Sequence, residues 1–201
     1  KYIMMATSSN FGNMFSMAAA TLFLPFLPML PLQVLLNNFL YDLSELPLPA
    51  DNVDEDDLAR PRRWDMGFIR TFMMTIGPVS SIFDFLTFWL LLAVLQADKA
   101  LFRTGWFVES LATQVLVIFV IRTRASPFKS RAHPALAITS LGVVVLAIVL
   151  PFTPLASVLG CAPLPLRFIA LLLGLTVIYL ALVEMVKRWF YRHLAARQAL
   201  T

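Results

Sequence analysis

The chain has 201 residues, 59% of them apolar and 14% charged, with a mean hydropathy of +0.78 and a formal net charge of +4. Soluble domains average roughly 45–50% apolar residues, so this composition excludes a water-solvated domain and points to an integral membrane protein. The basic residues flank apolar runs instead of forming one patch, which excludes a nucleic-acid partner, and the lone Cys161 excludes an intrachain disulfide or a thiolate metal site.

Crossing ~30 Å of hydrocarbon takes roughly 20 mostly apolar residues in a helix. Six such stretches predict an all-α polytopic membrane protein, one bundle of six transmembrane helices filling residues 1–201. Lys1-Tyr2-Ile3-Met4-Met5 runs into the first stretch without a small-residue cleavage site, so no signal peptide is expected and the chain reads as a piece of something longer.

The first span, about 2–24, carries Ser8-Ser9-Asn10-Phe11-Gly12-Asn13. Asn10 and Asn13 are three apart and share a helix face. Their amide oxygens can coordinate a hard cation, or join helices by hydrogen bonds with Gly12 admitting a close neighbour. The second span, about 28–48, follows Pro25, Pro28 and Pro31 and carries Asn37-Asn38-Phe39-Leu40-Tyr41-Asp42. Asn38 and Asp42, four apart, share a face, and no Lys or Arg near in sequence can pair with Asp42. A lone carboxylate buried there demands a cation, a partner or a proton, which makes Asp42 the strongest candidate ion ligand.

Residues 51–57 and Arg60-Pro61-Arg62-Arg63-Trp64-Asp65 form a charged, solvated loop. The third span, about 67–96, contains Pro78, expected to kink it, and Asp84, which serves either an ion or proton path or a structural hydrogen bond. The fourth, about 105–122, carries Glu109 near one end, where an interfacial and a site role are both open, and Gln114. The fifth runs about 134–152 and the sixth about 164–188, where Glu184 is expected to pair with Lys187 and Arg188. Trp64, Trp89, Trp106 and Trp189 fall near span ends, as interface anchors do. His133 and His193 form no ligand cluster.

Orientation follows the basic residues. Lys1, Arg60, Arg62, Arg63, Arg70, Arg122, Arg124, Lys129, Arg131, Lys187, Arg188, Arg192 and Arg197 fall on one side of a six-span arrangement; Lys99, Arg103 and Arg167 fall on the other. Both termini are therefore expected to be cytoplasmic.

The order Ser8-Ser9-Asn10-Phe11-Gly12-Asn13, a proline-rich turn, then Pro31-Leu32-Gln33-Val34-Leu35-Leu36-Asn37-Asn38-Phe39-Leu40-Tyr41-Asp42 resembles the fifth and sixth transmembrane helices of cation-transporting P-type ATPases. The rest of the chain is similar to that family's helices seven to ten. Gly77-Pro78-x-Ser80-Ser81-Ile82-Phe83-Asp84, Gly105-Trp106-Phe107-Val108-Glu109-Ser110-Leu111, Thr113-Gln114 and Ile121-Arg122-Thr123-Arg124 look most like the bacterial magnesium pumps. The resemblance implies cation ligands at Asn10, Asn13, Asn38, Tyr41 and Asp42, with Glu109 weaker; Asp84 joins the weaker set on its intramembrane charge. Calcium pumps carry a carboxylate at the position of Asn13 and a Thr at that of Tyr41. Fewer anionic ligands suit one Mg2+ held within the membrane with retained water.

The resemblance further implies a magnesium-transporting translocase of the bacterial inner membrane. Its first four helices, actuator, nucleotide-binding domain and phosphorylated aspartate would be partners of this chain, alongside membrane lipid. ATP would be used by those other domains. These 201 residues hold no phosphate-binding glycine loop and no nucleophile with its base, so the chain alone is not expected to hydrolyse ATP. A self-standing six-helix channel or secondary transporter, and a non-catalytic membrane scaffold, are the alternative readings. The three hairpins share no motif, which weighs against an inverted-repeat transporter.

Overall fold

A computed structural model describes residues 2–52, 66–123 and 131–198. Residues 53–65, including the acidic run from Asp54, Arg60 and Trp64, lie outside the described residues, as do Arg124 and Lys129. All regular elements among the described residues are helical. They are α1 (Tyr2–Ala20), α2 (Pro31–Glu45), α3 (Met66–Trp89), α4 (Lys99–Ile121), α5 (Pro134–Val149), the short α6 (Leu155–Leu159) and α7 (Leu166–Gln198). The stretches Ile69–Val94, Lys99–Ile121, Pro134–Phe152 and Leu166–Arg192 are long and apolar enough to cross a membrane. The chain is thus an all-α membrane bundle. By that measure α1 and α2 fall short, for chemical reasons. Polar residues from Thr7 to Ser16 interrupt α1, and the 15 residues of α2 span only about 22 Å.

Local chemistry sets the helix ends. Pro31 opens α2 at its first turn, later than the expected 28, and the Leu30 N–H donates to Gln33 Oε1 at 3.0 Å. Helix α4 begins at Lys99, ahead of the expected 105, because the Asp98 carboxylate accepts the Leu101 N–H at 2.8 Å. Lys99 and Arg103 therefore stand on a helix. Pro78 lies inside α3, which stays helical to Trp89 and closes with a single π turn, Leu90–Val94. Gly160 ends α6 in the left-handed conformation, φ +64°, which spares a side chain the Cβ clash.

Helix α4 is the hub, buried along almost its whole length and packed against α1, α2, α3, α5 and α7. Phe88 of α3 meets the Trp106 ring of α4 edge-on at 4.9 Å, and Phe83 meets Tyr179 of α7 at 5.2 Å. Helices α5 and α7 turn apolar residues outward, among them Ile138, Val145, Leu173, Val177 and Ile178, as lipid-facing helices do. Successive long helices run in alternate directions. At one end Lys187 of α7 donates to Val120 O (2.9 Å) and Thr123 O (3.1 Å) at the finish of α4. There Asp51, beyond α2, binds Arg122 Nη1 at 2.9 Å and accepts the His133 N–H at 2.8 Å. At the opposite end Arg103 donates to Leu27 O (2.9 Å), and Gln33 donates to Leu159 O (3.0 Å).

Candidate functional site

Inside this apolar bundle α4 carries a polar face. Trp106, Glu109, Ser110, Thr113 and Gln114 recur at helical spacing and are all buried. Ser110 joins three helices. Its hydroxyl donates to Asn13 Oδ1 of α1 (3.1 Å) and accepts from Asn37 Nδ2 of α2 (3.3 Å) and Gln114 Nε2 (2.7 Å). A serine hydroxyl has one proton and two lone pairs, so Ser110 is saturated. Both amides turn their nitrogens toward it and their oxygens away, and Asn37 Oδ1 and Gln114 Oε1 are left buried without a donor.

Next to Ser110 on the chain, Glu109 is 1% exposed. Its carboxyl lies beside Asp84 of α3, close enough for the two charges to act on each other, and its Oε2 has no donor. Asp84 is held from two further helices. Ser16 Oγ of α1 donates to Oδ2 at 2.5 Å, and Trp106 Nε1 of α4 donates to Oδ1 at 2.9 Å.

Close backbone approach makes this meeting possible. A Cβ on Gly12 would lie 3.1 Å from Gly77 O and 3.2 Å from Ser80 Cβ, so even alanine would need α3 to yield by a few tenths of an ångström there. Ser81 Oγ seals the contact by donating to Gly12 O at 3.2 Å.

The buried stripe of α2 is Gln33, Asn37, Leu40, Tyr41, Ser44 and Glu45. Asn38 and Asp42 do share a face, but it is the exposed one, beside Leu35, Phe39 and Leu46. The sequence expectation of a buried Asp42 is therefore corrected for this chain: each sits one residue, about 100° of helix, past a core position. Tyr41 points the other way. It is fully buried, and its hydroxyl donates to Glu45 Oε1 at 2.6 Å. Of the amide pair on α1, Asn13 is buried on Ser110 and Asn10 is half-buried. Glu109 proves a core residue instead of an interfacial one, and Trp106 is no interface anchor: it is fully buried on Asp84. Glu184 does pair with Lys187 (2.6 Å) and Arg188 (2.7 Å). Among the described residues no three His, Cys, Asp or Glu side chains gather as a metal cluster. Any cation held here would rest on amides, hydroxyls and one or two carboxylates.

The sequence matches the profile of a family described as "Cation transporting ATPase, C-terminus" over residues 26–189. The chain belongs to that family. The chain is 47% identical over 197 residues to a "Magnesium-transporting ATPase, P-type 1" of Salmonella typhimurium strain LT2, covering 96% of the chain and 22% of the relative. A protein of the same name from Escherichia coli K12 is 46% identical over the same shares of both chains. A second Salmonella typhimurium LT2 protein of that name is 42% identical. The chain thus spans about a fifth of the length of the curated relatives it matches.

Sequence reasoning named Asn13, Asp84 and Glu109 as site candidates in this ATPase domain, and the structure brings Asp84 and Glu109 together, one residue from the Ser110 that binds Asn13. It missed Ser16, Asn37, Trp106 and Ser110. The recoverable signal was the spacing of Trp106, Glu109, Ser110 and Gln114, which puts these four polar groups of the fourth span on one stripe.

Proposed function

We propose that this chain is the ion-pathway part of an ATP-driven magnesium pump of the bacterial inner membrane, with Mg2+ bound among α1, α2 and α4. The observation that carries the reading is the set of buried acceptor oxygens without donors around Ser110: Asn37 Oδ1, Gln114 Oε1 and Glu109 Oε2. Buried acceptors left unmade are expensive in a protein, and more so in a bilayer. A hard cation is a partner that such oxygens suit, and Mg2+ accepts a few protein oxygens with water completing its shell. The names of the relatives support magnesium as the transported ion.

Asn10, Asn13, Asn38, Tyr41 and Asp42 stand as the proposed ligand set, with Asp84 and Glu109 behind it. Helices α1 and α2 scarcely touch each other, yet both pack on α4 and meet at Ser110; the ion cleft would open between them there. Asn38 and Asp42 lie on the outer face of α2. In a pump of the relatives' length, other helices would cover that face and complete the site. The phosphorylation and nucleotide chemistry would reside in those other parts, and ATP would be used there. Conformational coupling would then expose the cleft to alternate sides.

The test uses the full-length protein in bacteria that lack other magnesium uptake. Asp42→Asn is expected to abolish growth at low magnesium while the protein still reaches the membrane. Undiminished Mg2+ uptake would refute the site; loss of membrane assembly instead of transport would favour a scaffold.

A further inference from the structure

The cleft around Ser110 leaves one buried acid of α2 unused. Glu45 ends that helix, 1% exposed. Its Oε1 accepts the Tyr41 hydroxyl at 2.6 Å, and its Oε2 is buried without any donor. Asp42 lies three residues earlier, close enough for its charge to act on Glu45. Two carboxyl groups one helical turn apart, with one oxygen sealed in the protein and lacking a donor, call for a proton or for a positive charge between them, and a divalent cation can take the proton's place.

No described cation answers that call. Arg122, at the end of α4, places Nη1 on Asp51 at 2.9 Å. Lys187 of α7 places Nζ on two α4 carbonyls and on Glu184. His133, at the head of α5, uses Nδ1 to accept the Ala135 N–H at 3.3 Å. Where α5 turns inward it is Leu136, Ser140, Val143 and Ala147, and Ser140 Oγ is itself buried without a partner.

We propose that Glu45 and Asp42 form a second stop for the transported ion, a site for a partly hydrated divalent cation between the Asn38–Asp42 level and the Asp51–Arg122 end of the bundle. The chemistry is that of a hard cation with few carboxylates: Asp42 offers an outer oxygen, Glu45 an inner one, and retained water spans the remainder. Tyr41 is a positioning residue. Its hydroxyl fixes one Glu45 oxygen and so aims the other. The inference rests on the reading of α2 as part of a cation path and adds a residue, Glu45, that this reading did not use.

The experiment titrates Mn2+, an EPR-visible stand-in for Mg2+, into the full-length pump in nanodiscs without nucleotide. Asp42→Asn identifies which class of bound Mn2+ belongs to the path. Glu45→Gln keeps the shape and the bond from Tyr41 but removes the charge. It is expected to weaken that same class about 10–100-fold, the usual cost of losing a carboxylate that acts through bound water. If Asp42→Asn removes the class and Glu45→Gln leaves its affinity unchanged, the second stop is overturned and the path reading stands. If neither variant alters any class, both fall. Should Glu45→Gln yield no folded protein, Glu45→Asp carries the test alone: it retracts the carboxylate by one methylene, and unchanged Mn2+ affinity overturns the proposal.

Discussion

Asp84 shows how a charged residue survives inside this bundle. Two helices supply its neighbours: Ser16 of α1 and Trp106 of α4 donate to its two oxygens, and Glu109 of α4 lies beside it. Removing a donor while leaving the buried acceptor costs about 1–3 kcal/mol, more when the acceptor is charged. Trp106→Phe keeps the edge-on contact with Phe88 and deletes only the indole N–H. The variant is expected to melt several degrees lower in detergent, and Asp84→Asn placed on top of it should cost less than in the wild type, because the two share one interaction. Equal, additive losses would show that the indole bond contributes nothing. That Trp106 does this was hidden from composition, since tryptophan near a span end usually marks the interface. Asp42 was misplaced for a related reason. The spacing of Asn38 and Asp42 establishes a shared face, but α2 is polar on both faces: Gln33, Asn37, Ser44 and Glu45 look inward, so hydrophobic periodicity had no stripe to find.

At the scale of elements, the long apolar spans were legible because length and hydropathy alone define them; the ends were not. Helix α4 starts early through the Asp98 cap, whose carboxylate reads in sequence as one more loop charge. Helices α1 and α2 traded apolar residues for amides and hydroxyls, and so lost the signal that marks a span. What holds α1 in place is shape instead of greasiness. The Gly12 surface rests on Gly77 and Ser80, and this contact sets the height of Asn13 over Ser110. Gly12→Leu is expected to push α1 off α3, break the Asn13–Ser110 bond and abolish Mg2+ uptake by the full-length protein. Gly12→Ala requires its neighbours to yield only a few tenths of an ångström and is expected to retain partial uptake. Full uptake by the leucine variant in a low-magnesium growth assay would show that the close contact does not position the ligands.

For the whole molecule, charge and geometry agree on an axis. The contacts of Lys187, Arg122 and Asp51 gather the end of α4, the head of α5 and the late part of α7 at one pole, and Phe72 near the start of α3 packs edge-on against Phe190 of α7 at 5.6 Å. Arg103 and the turns at Leu27 and Leu159 occupy the other pole. The positive-inside rule predicts that the pole with the basic excess faces the cytoplasm; the folded contacts say only which ends share a pole. A single-cysteine experiment on the full-length protein tests it. In a Cys161→Ser background, with any other cysteines also removed, Lys99→Cys and Arg188→Cys each place a thiol at an exposed position at opposite poles. A membrane-impermeant maleimide should label the Lys99→Cys variant in intact cells and the Arg188→Cys variant only after permeabilisation. Labelling of both from the same side would mean that an even number of spans separates the two residues, and the alternating arrangement of α4, α5 and α7 would have to be abandoned.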